Sequence, residues 1–266
     1  MPQKLGQHFL KNKAVIQKII ASLDLQPGET VIEIGPGKGA LTVPLSRACT
    51  DAGCTLVAIE KDSSLAAELA ALKILGLEII TGDALEVIPQ LASDYKLKAI
   101  SYKLAGNIPY YITGHLLRVV SELEVKPSRT VLMIQKEVAE RLTAKPGKMN
   151  LLAAATQIWA DISIIAALKP EDFSPAPKVD SAVIRIETKK HKSIKASELA
   201  TYYAFIHAAF KQPRKTLLNN LSEAAGRSKA DMLPPLQQLG FTEKTRAQEL
   251  SVDDLIKLAT ALREGE

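Results

Sequence analysis

The sequence is poor in the residues that build metal centres and disulfide frameworks. Its 266 residues include two cysteines, Cys49 and Cys54, and four histidines. The cysteine spacing, with no histidine nearby, fits neither a zinc site nor a disulfide-stabilised fold. His115, His191 and His207 show no ligand spacing either. We therefore expect no bound metal, and two free thiols in a reducing compartment.

Long apolar segments are also missing. The N-terminus has no apolar signal region, and no stretch is long enough to span a membrane. The chain contains no internal repeats and no low-complexity tracts. These absences argue against a membrane partner and predict a soluble, cytoplasmic protein.

The chain does have enough apolar content for a sizeable core, together with a small basic excess. Apolar residues make up 47% of the chain, and 34 Lys and Arg face 29 acids, which gives a net charge of +5. The length suits either one large domain or a large and a small one. A basic excess of this size is compatible with a polyanionic partner but does not prove one.

The first half of the sequence alternates short β-type runs with helical stretches. This alternation predicts an α/β domain with a parallel sheet covered on both faces, and ligands of such sheets bind beyond the carboxyl ends of the strands. Strands are predicted over residues 30–34, 55–59, 77–81, 102–105, 130–135 and 179–187, and the first helices over 15–23, 40–48 and 64–72.

The C-terminal part has a different pattern. A basic break begins at Lys189, and from Glu198 onward the periodicity is helical, with turns expected at Gly226 and at Pro234-Pro235. We predict a catalytic domain over residues 1–188, a basic linker over 189–197, and a small α-helical domain over 198–266.

A glycine-rich turn follows the first predicted strand. Residues 33–39 read E-x-G-x-G-x-G, and the lack of side chains lets a ligand approach the backbone closely. A phosphate loop is excluded because Gly39 follows Lys38, where Ser or Thr is required. An acid just before the turn does not fit a dinucleotide site. The whole pattern instead resembles motif I of methyltransferases that use S-adenosylmethionine. Taken alone, the turn also fits a plain tight turn.

Two acids follow the next two predicted strands. Glu60 is placed to accept hydrogen bonds from two ribose hydroxyls, as acids at this position do in dinucleotide folds. Asp83 can accept a hydrogen bond from an adenine amino group. Ile34, Ile59 and Ala84 would form apolar walls around the adenine. Each acid alone also fits a solvated strand end, but three such turns on consecutive strands point to one cofactor site.

Residues 107–110 read Asn-Ile-Pro-Tyr and resemble the tetrad of methyltransferases that act on exocyclic amino groups of bases. The lone pair of such an amine is delocalised into the ring, so two acceptors on its N–H groups would direct it toward the methyl group. The Asn107 side-chain carbonyl and the Ile108 backbone carbonyl can serve. Pro109 fixes the turn, and Tyr110 offers a face on which the base can stack.

Six segments together resemble the ribosomal RNA adenine N6-dimethyltransferases, and among them the bacterial enzymes of the small subunit. The segments are residues 7–10, 33–39, 82–84, 107–110, 173–181 and 210–217. The resemblance implies a Rossmann-like catalytic domain, S-adenosyl-L-methionine as cofactor, and dimethylation of two adjacent adenosines near the 3′ end of 16S rRNA. It also implies that the partner is 16S rRNA within an immature 30S subunit and that the protein is a monomer.

The resemblance further assigns roles to individual residues. His8 and Leu10 are expected to contact the methionine end of the cofactor, and Gly35, Glu60, Asp83 and Asn107 to complete its site. Phe173 is expected to stack on the target adenine opposite Tyr110. His8 stands where the family usually has Asn, and Pro213 interrupts a run that is usually Arg-Arg-Lys-Thr-Leu.

Basic residues provide candidate contacts to RNA. Lys211, Arg214 and Lys215 open a helix of the small domain, and with a base-modifying site in the same chain, phosphate contact is the favoured interpretation. If the RNA is held elsewhere, the N-terminal lysines Lys4, Lys11 and Lys13 are the next candidates.

Two other functions remain open at this point. One is the sister activity on 23S rRNA that confers macrolide resistance, and the other is a non-catalytic RNA-binding assembly factor of the same fold. The segment 173–181 favours the small-subunit activity, and the intact acids and tetrad argue against a protein that has lost catalysis.

Overall fold

The computed structural model describes residues 8–93, 101–190 and 194–264. Lys4, Gln7 and His191 lie outside these ranges. The chain divides into two compact units, Met1–Glu140 with Asp161–Thr188, and Arg141–Ala160 with Lys189–Glu266.

The sequence-based division differs from this one in two segments, since the stretch from Lys189, predicted as a linker up to residue 197, also belongs to the second unit. Arg141–Ala160 belongs to the second unit, although it precedes the last strands of the first. The reason lies in its apolar residues, since Ala153, Ala154 and Ile158 are buried in the core of the second unit.

The first unit is built on a sheet of seven strands in the described residues. The strands are β2 (Thr30–Ile34), β3 (Thr55–Glu60), β4 (Leu77–Thr81), β5 (Tyr102–Asn107), β6 (Arg129–Gln135), β7 (Ala160–Leu168) and β9 (Ser181–Thr188). Their spatial order is β4-β3-β2-β5-β6-β9-β7. β2 to β6 run parallel, and β9 pairs antiparallel with β6. The prediction of a mainly parallel α/β sheet is confirmed.

Helices precede, connect and follow the parallel strands, and two further short strands pair as a separate ribbon. The helices are α1 (Lys13–Leu23), α2 (Thr42–Ala52), α3 (Ser63–Ala71), α4 (Ala84–Ser93), α5 (Thr113–Glu122) and α6 (Lys136–Leu142). The side chains of Asn12 and Asp62 accept hydrogen bonds from the first N–H groups of α1 and α3. The ribbon pairs β1 (Phe9–Leu10) with β8 (Phe173–Ser174).

The centre of the sheet is apolar on both faces. Val31, Ile32 and Leu104 are completely buried, as expected of parallel strands covered by helices. Helix α1 contributes Ile19 and Leu23 to the core, and each buried side chain of this size stabilises the fold by ~1.5–3 kcal/mol.

The second unit is helical. It contains α7 (Leu151–Gln157), α8 (Leu199–Ala209), α9 (Leu217–Ala225), α10 (Lys229–Gln238) and α11 (Val252–Glu264). Tyr202, Ile206, Leu236 and Leu255 are fully buried at its centre, and the Tyr202 hydroxyl donates a hydrogen bond to the carbonyl of Ala154. This core is separate from the one beneath the sheet.

The turn predicted at Pro234-Pro235 is wrong, whereas Gly226 does end a helix. Both prolines lie inside α10, where each lacks the N–H that the helix would use. Met232 and Leu236 on either side of them are buried, so packing holds the helix together despite the missing donors. Gly226 has a φ of 64° and closes α9 in the left-handed region that favours glycine.

Candidate active site

A cavity of about 250 Å³ opens at the carboxyl edge of the sheet. Four neighbouring strands end there, and each contributes a residue that the sequence singled out: Gly35 after β2, Glu60 of β3, Asp83 after β4 and Asn107 of β5. His8, Ile108, Pro109 and Tyr110 also line the cavity. Most of the predicted site residues are thus brought together in one place.

The glycine-rich turn is shaped by contact with the N-terminal segment. Gly37 has a φ of 56°, and a Cβ added there would lie 2.8 Å from the ring of Phe9. Phe9 lines the cavity, and its ring faces the Lys38 ammonium at 5.5 Å. Glycine is therefore required at position 37 both by the backbone and by the ring packed against it.

A second glycine lets two strands approach each other beneath the cavity. Gly106 of β5 pairs with Ile34 of β2, and a Cβ at Gly106 would lie 2.5 Å from the Ile34 carbonyl oxygen. No side chain fits at this distance. The Gly106-Asn107 pair marks the end of a predicted strand in the sequence, but the packing role of Gly106 becomes visible only in the structure.

Glu60 holds the glycine turn in place as well as lining the cavity. Its side chain is buried, Oε2 accepts a hydrogen bond from the Gly37 N–H at 3.0 Å, and Oε1 accepts one from the Asp62 N–H at 2.9 Å. A carboxylate oxygen has two lone pairs, so both oxygens can still accept a further donor. The predicted ribose contact is compatible with this arrangement.

Asp83 is already paired on both oxygens. Oδ1 accepts a hydrogen bond from the Leu85 N–H, and Oδ2 lies 2.7 Å from the Lys61 Nζ. The Lys61 ammonium lowers the pKa of the Asp83 carboxyl. Lys61 lines the cavity too, and sequence reasoning missed it.

Asn107 presents its amide with a defined orientation. The Nδ2 group donates a hydrogen bond to the backbone carbonyl of His8 at 2.6 Å. This hydrogen bond fixes the orientation of the amide. The Oδ1 atom points away from the His8 carbonyl and can accept a hydrogen bond. An acceptor oxygen on the cavity wall is what the predicted role of Asn107 requires.

The tetrad ends in a rigid turn. Residues Tyr110–Ile112 form one turn of 3₁₀ helix, and the Ile112 N–H donates to the Pro109 carbonyl at 3.1 Å. The Tyr110 hydroxyl lies 2.6 Å from the Ser181 Oγ, and the His8 ring stacks against the Tyr110 ring with 6.4 Å between centroids. Tyr110 is therefore held at its hydroxyl and flanked on one face.

Two of the residues predicted for the catalytic and cofactor sites do not line the cavity. Leu10 and Phe173 are partners in the β1–β8 ribbon, and both side chains are buried in the core beneath the sheet, Phe173 with 2% of its surface exposed. Successive residues of a strand point to opposite sides, so Phe9 faces the cavity and Leu10 the core. The aromatic partner that faces Tyr110 in this structure is His8 and not Phe173.

The acid of the glycine motif is buried behind the cavity. Glu33 has 1% of its surface exposed, and its Oε2 has no hydrogen-bond partner among the described residues. Burial raises the pKa of Glu33 to about 8, and the nearby Glu60 carboxylate adds to the shift. Glu33 therefore carries a proton at neutral pH more often than an ordinary carboxyl does.

The predicted RNA-binding residues lie in the second unit, in the connection between α8 and α9, and not in the first turn of a helix as the sequence predicts. The Lys215 ammonium lies 2.9 Å from one Glu223 carboxylate oxygen, and that of Lys211 lies 3.5 Å from the other. The pKa of Glu223 is lowered, chiefly by Lys215. Arg214 is exposed. Two of the three cations thus share one acid.

The described residues contain no group of three or more His, Cys, Asp or Glu side chains that could hold a metal ion. Within the same residues, no helix is both long and apolar enough to cross a membrane.

The sequence of this chain matches a family model over nearly its whole length. Residues 2–264 match the model described as ribosomal RNA adenine dimethylase. The chain belongs to this family. The family resemblance inferred from the six segments is therefore confirmed.

Similar proteins carry names that refer to the small ribosomal subunit. Proteins named "Ribosomal RNA small subunit methyltransferase A" are 37% identical in Dehalococcoides mccartyi strain CBDB1 and 35% identical in Xylella fastidiosa strain Temecula1. Each alignment covers 96% of this chain, and they cover 86% and 94% of the respective relatives.

Solved structures support the fold. A dimethyladenosine transferase from Plasmodium falciparum matches with a TM-score of 0.78 at 24% identity, covering 97% of this chain and 98% of that one. The 23S rRNA methyltransferase ErmE matches with a TM-score of 0.71 at 20% identity, covering 96% and 99%. Both likenesses extend across the two units.

Proposed function

We propose that this protein uses S-adenosyl-L-methionine to dimethylate the N6 amino groups of two adjacent adenosines in the 3′-terminal hairpin loop of 16S rRNA. The observation that carries the proposal is the cavity at the sheet edge, where the glycine turn, Glu60, Asp83 and Asn107 meet. Membership of the adenine dimethylase family and the names of the small-subunit relatives support the choice of substrate.

The residues present suit this cofactor. S-adenosylmethionine supplies a methyl group on a cationic sulfonium when bound. Gly35 and Gly37 leave room for close approach to the backbone, Glu60 provides acceptors for ribose hydroxyls, and Asp83 provides an acceptor for the adenine amino group. Asn107 holds the backbone carbonyl of His8 near the same site. Leu10 packs in the core and would support this segment without touching the cofactor.

The tetrad supplies the groups that act on the target amine. The Asn107 Oδ1 and the Ile108 carbonyl accept the N–H groups, so that the nitrogen lone pair points at the methyl group. Pro109 and the 3₁₀ turn fix these acceptors. The face of Tyr110 orients the base, and Phe173 would join it only if the β1–β8 ribbon opened. Catalysis is then mainly positioning, which can contribute ~7–11 kcal/mol.

The partner that suits this site is 16S rRNA in an immature 30S particle. Adenosines in a hairpin loop can be unstacked at low cost, and Lys211, Arg214 and Lys215 are candidates for phosphate contact. A monomer and a cytoplasmic location stay predictions.

The large-subunit alternative is tested by substrate choice. The fold does not separate the two activities, because a 23S rRNA methyltransferase shares it, while the names of the sequence relatives favour the small subunit. We expect transfer of labelled methyl groups to unmethylated immature 30S particles and none to 50S particles. Preferential labelling of 50S particles would overturn the proposal.

The non-catalytic alternative is tested by cofactor binding. A titration calorimetry experiment with S-adenosylmethionine should show binding of one molecule per chain. A chain that binds 30S particles but neither the cofactor nor its demethylated product would be an assembly factor and not an enzyme.

A further inference from the structure

One aromatic side chain at the mouth of the cavity is not accounted for by the proposed function. Tyr111 is 67% exposed and lines the cavity. The other large apolar side chains that are exposed in the described residues are aliphatic. The hydroxyl of the neighbouring Tyr110 is hydrogen-bonded to the Ser181 hydroxyl. Of the two consecutive tyrosines, Tyr110 is therefore fixed inside the cavity and Tyr111 lies at its exposed edge.

The backbone that carries the Tyr111 ring is fixed. Tyr111 is the middle residue of the 3₁₀ turn, the Ile112 N–H bonds to the Pro109 carbonyl, and the Thr113 N–H bonds to the Tyr110 carbonyl. Helix α5 begins directly after this turn. The ring is therefore held at the rim by the same turn that positions the catalytic acceptors.

We propose, on the basis of the function proposed above, that Tyr111 stacks on the nucleobase next to the target adenine. A base that enters the cavity must leave its stack, and its neighbour then loses a stacking partner. An exposed aromatic ring at the rim can replace that partner, and such contacts tolerate any base because every base has a π-face. Tyr111 is thus a substrate-positioning residue that holds the second of two adjacent bases outside the cavity.

The pairing of Lys61 distinguishes a stacking contact at this rim from phosphate binding. Lys61 lines the same cavity as Tyr111, but its ammonium is paired with Asp83 at 2.7 Å. The contribution of this rim to RNA binding should therefore come from the ring and depend little on salt. Binding through free lysines would instead weaken steeply as the salt concentration rises.

The test compares Tyr111→Ala with Tyr111→Phe, which keeps the ring. We expect Tyr111→Ala to raise the KM for immature 30S particles by ~5- to ~150-fold, the range for losing one base–aromatic stack, and Tyr111→Phe to stay within about twofold of wild type. The affinity for S-adenosylmethionine and the salt dependence of particle binding should not change. Leu75→Ala is the control, since Leu75 is 83% exposed and does not line the cavity.

Three results would overturn the proposal. An unchanged KM for Tyr111→Ala would mean that the ring is merely solvated. A loss of cofactor affinity equal to the rise in KM would make Tyr111 a lid over the cofactor. An equal loss in Tyr111→Phe would show that the hydroxyl matters and not the ring.

A binding measurement that needs no methylation separates this inference from the proposed function. The affinity of wild type and variants for a short oligoadenylate reports on stacking even if the wild-type protein fails to methylate 30S particles. We expect Tyr111→Ala to weaken oligoadenylate binding, Tyr111→Phe to retain it, and equal affinities of wild type and Tyr111→Ala to contradict the inference.

Discussion

At the scale of single residues, Asn107 combines a structural contact with a predicted catalytic one. Its Nδ2 holds the N-terminal segment through the His8 carbonyl, and its Oδ1 is proposed to accept from the target amine. The sequence could predict that Asn107, Glu60 and Asp83 meet at one edge of the sheet, because each lies at or just after the end of a recognisable strand. It could not predict that Phe173 is buried, because burial there depends on the pairing of two segments far apart in the chain.

Replacing Asn107 should affect the chemical step more than cofactor binding. We expect Asn107→Ala to lower the single-turnover methylation rate by ~10²- to 10³-fold, the loss typical of removing one group that acts in the transition state. Asn107→Asp keeps an acceptor oxygen and should retain more activity than Asn107→Ala. Near wild-type single-turnover rates in Asn107→Ala would remove Asn107 from the catalytic assignment.

Glu33 should make the stability of the protein fall as the pH rises. Its folded pKa of about 8 lies above the ordinary value of 4.5, so the folded protein binds the extra proton, and stability present below pH 4.5 is lost as the pH rises through about 8. The glutamine side chain of Glu33→Gln has no proton to lose in this pH range. In urea unfolding, the stability of wild type relative to Glu33→Gln should decline between pH 5 and pH 8.5.

The matched control for this pH series is the exposed acid Glu68, since Glu68→Gln should show the wild-type pH dependence. Parallel curves for wild type and Glu33→Gln would mean that Glu33 is ionised when folded.

At the scale of elements, short strands with plain apolar patterns were the most predictable part of the fold. β2 and β4 have the predicted bounds because short runs rich in β-branched and other apolar residues, flanked by turns, leave few alternatives. β7 was not predicted, since its buried and exposed residues follow no regular alternation. The two prolines of α10 predicted a turn because proline disfavours the interior of a helix. The burial of Met232 and Leu236 outweighs this local preference.

The close approach of β5 to β2 should make Gly106 intolerant of any side chain. Gly106→Ala would place a Cβ 2.5 Å from a backbone oxygen, which the strands can relieve only by moving apart. We expect a loss of ~1–3 kcal/mol in the free energy of unfolding, measured by urea denaturation, together with weaker cofactor binding.

Gly114→Ala is the comparison for this variant. Gly114 lies in α5, and a Cβ there would meet no atom within 4 Å, so stability should be unchanged or slightly raised. Equal stabilities of Gly106→Ala and wild type would show that the strands are not held at this distance.

At the scale of the whole molecule, the first unit carries the proposed chemistry and the second carries the predicted RNA-binding cations. The sequence pattern does not assign Arg141–Ala160 to the second unit, because a segment that leaves one core and joins another has no local signal. The acid Glu223, which pairs with Lys211 and Lys215, was also missed, since the contact joins the connecting segment to a side chain well inside the helix that follows.

Glu223 should therefore weaken RNA binding in the wild-type protein. Glu223→Gln leaves Lys211 and Lys215 without this partner, so we expect tighter binding of immature 30S particles. The salt dependence should become steeper by up to roughly 0.7–0.9 in slope for each of the two lysines that gains a phosphate. Replacing Lys211, Arg214 and Lys215 with Ala should flatten it, and neither change should alter cofactor affinity.

The exposed acid Glu243 controls for net charge, because Glu243→Gln makes the same change of one unit at another place in the second unit. If Glu243→Gln strengthens binding as much as Glu223→Gln does, overall charge and not this cluster attracts the RNA. Identical salt slopes for wild type and the triple variant would assign RNA contact to other residues, with Lys11 and Lys13 the next candidates among the described ones.

The central claim is that the cavity at the sheet edge dimethylates adenosine N6 in small-subunit RNA. The most direct measurement is nucleoside mass spectrometry of 16S rRNA from unmethylated 30S particles incubated with S-adenosylmethionine and either wild type or Asn107→Ala. The account predicts N6,N6-dimethyladenosine at two adjacent positions of the 3′-terminal hairpin loop with wild type, and almost none with Asn107→Ala. A wild-type product that is methylated elsewhere, or dimethyladenosine formed equally by both proteins, would contradict it.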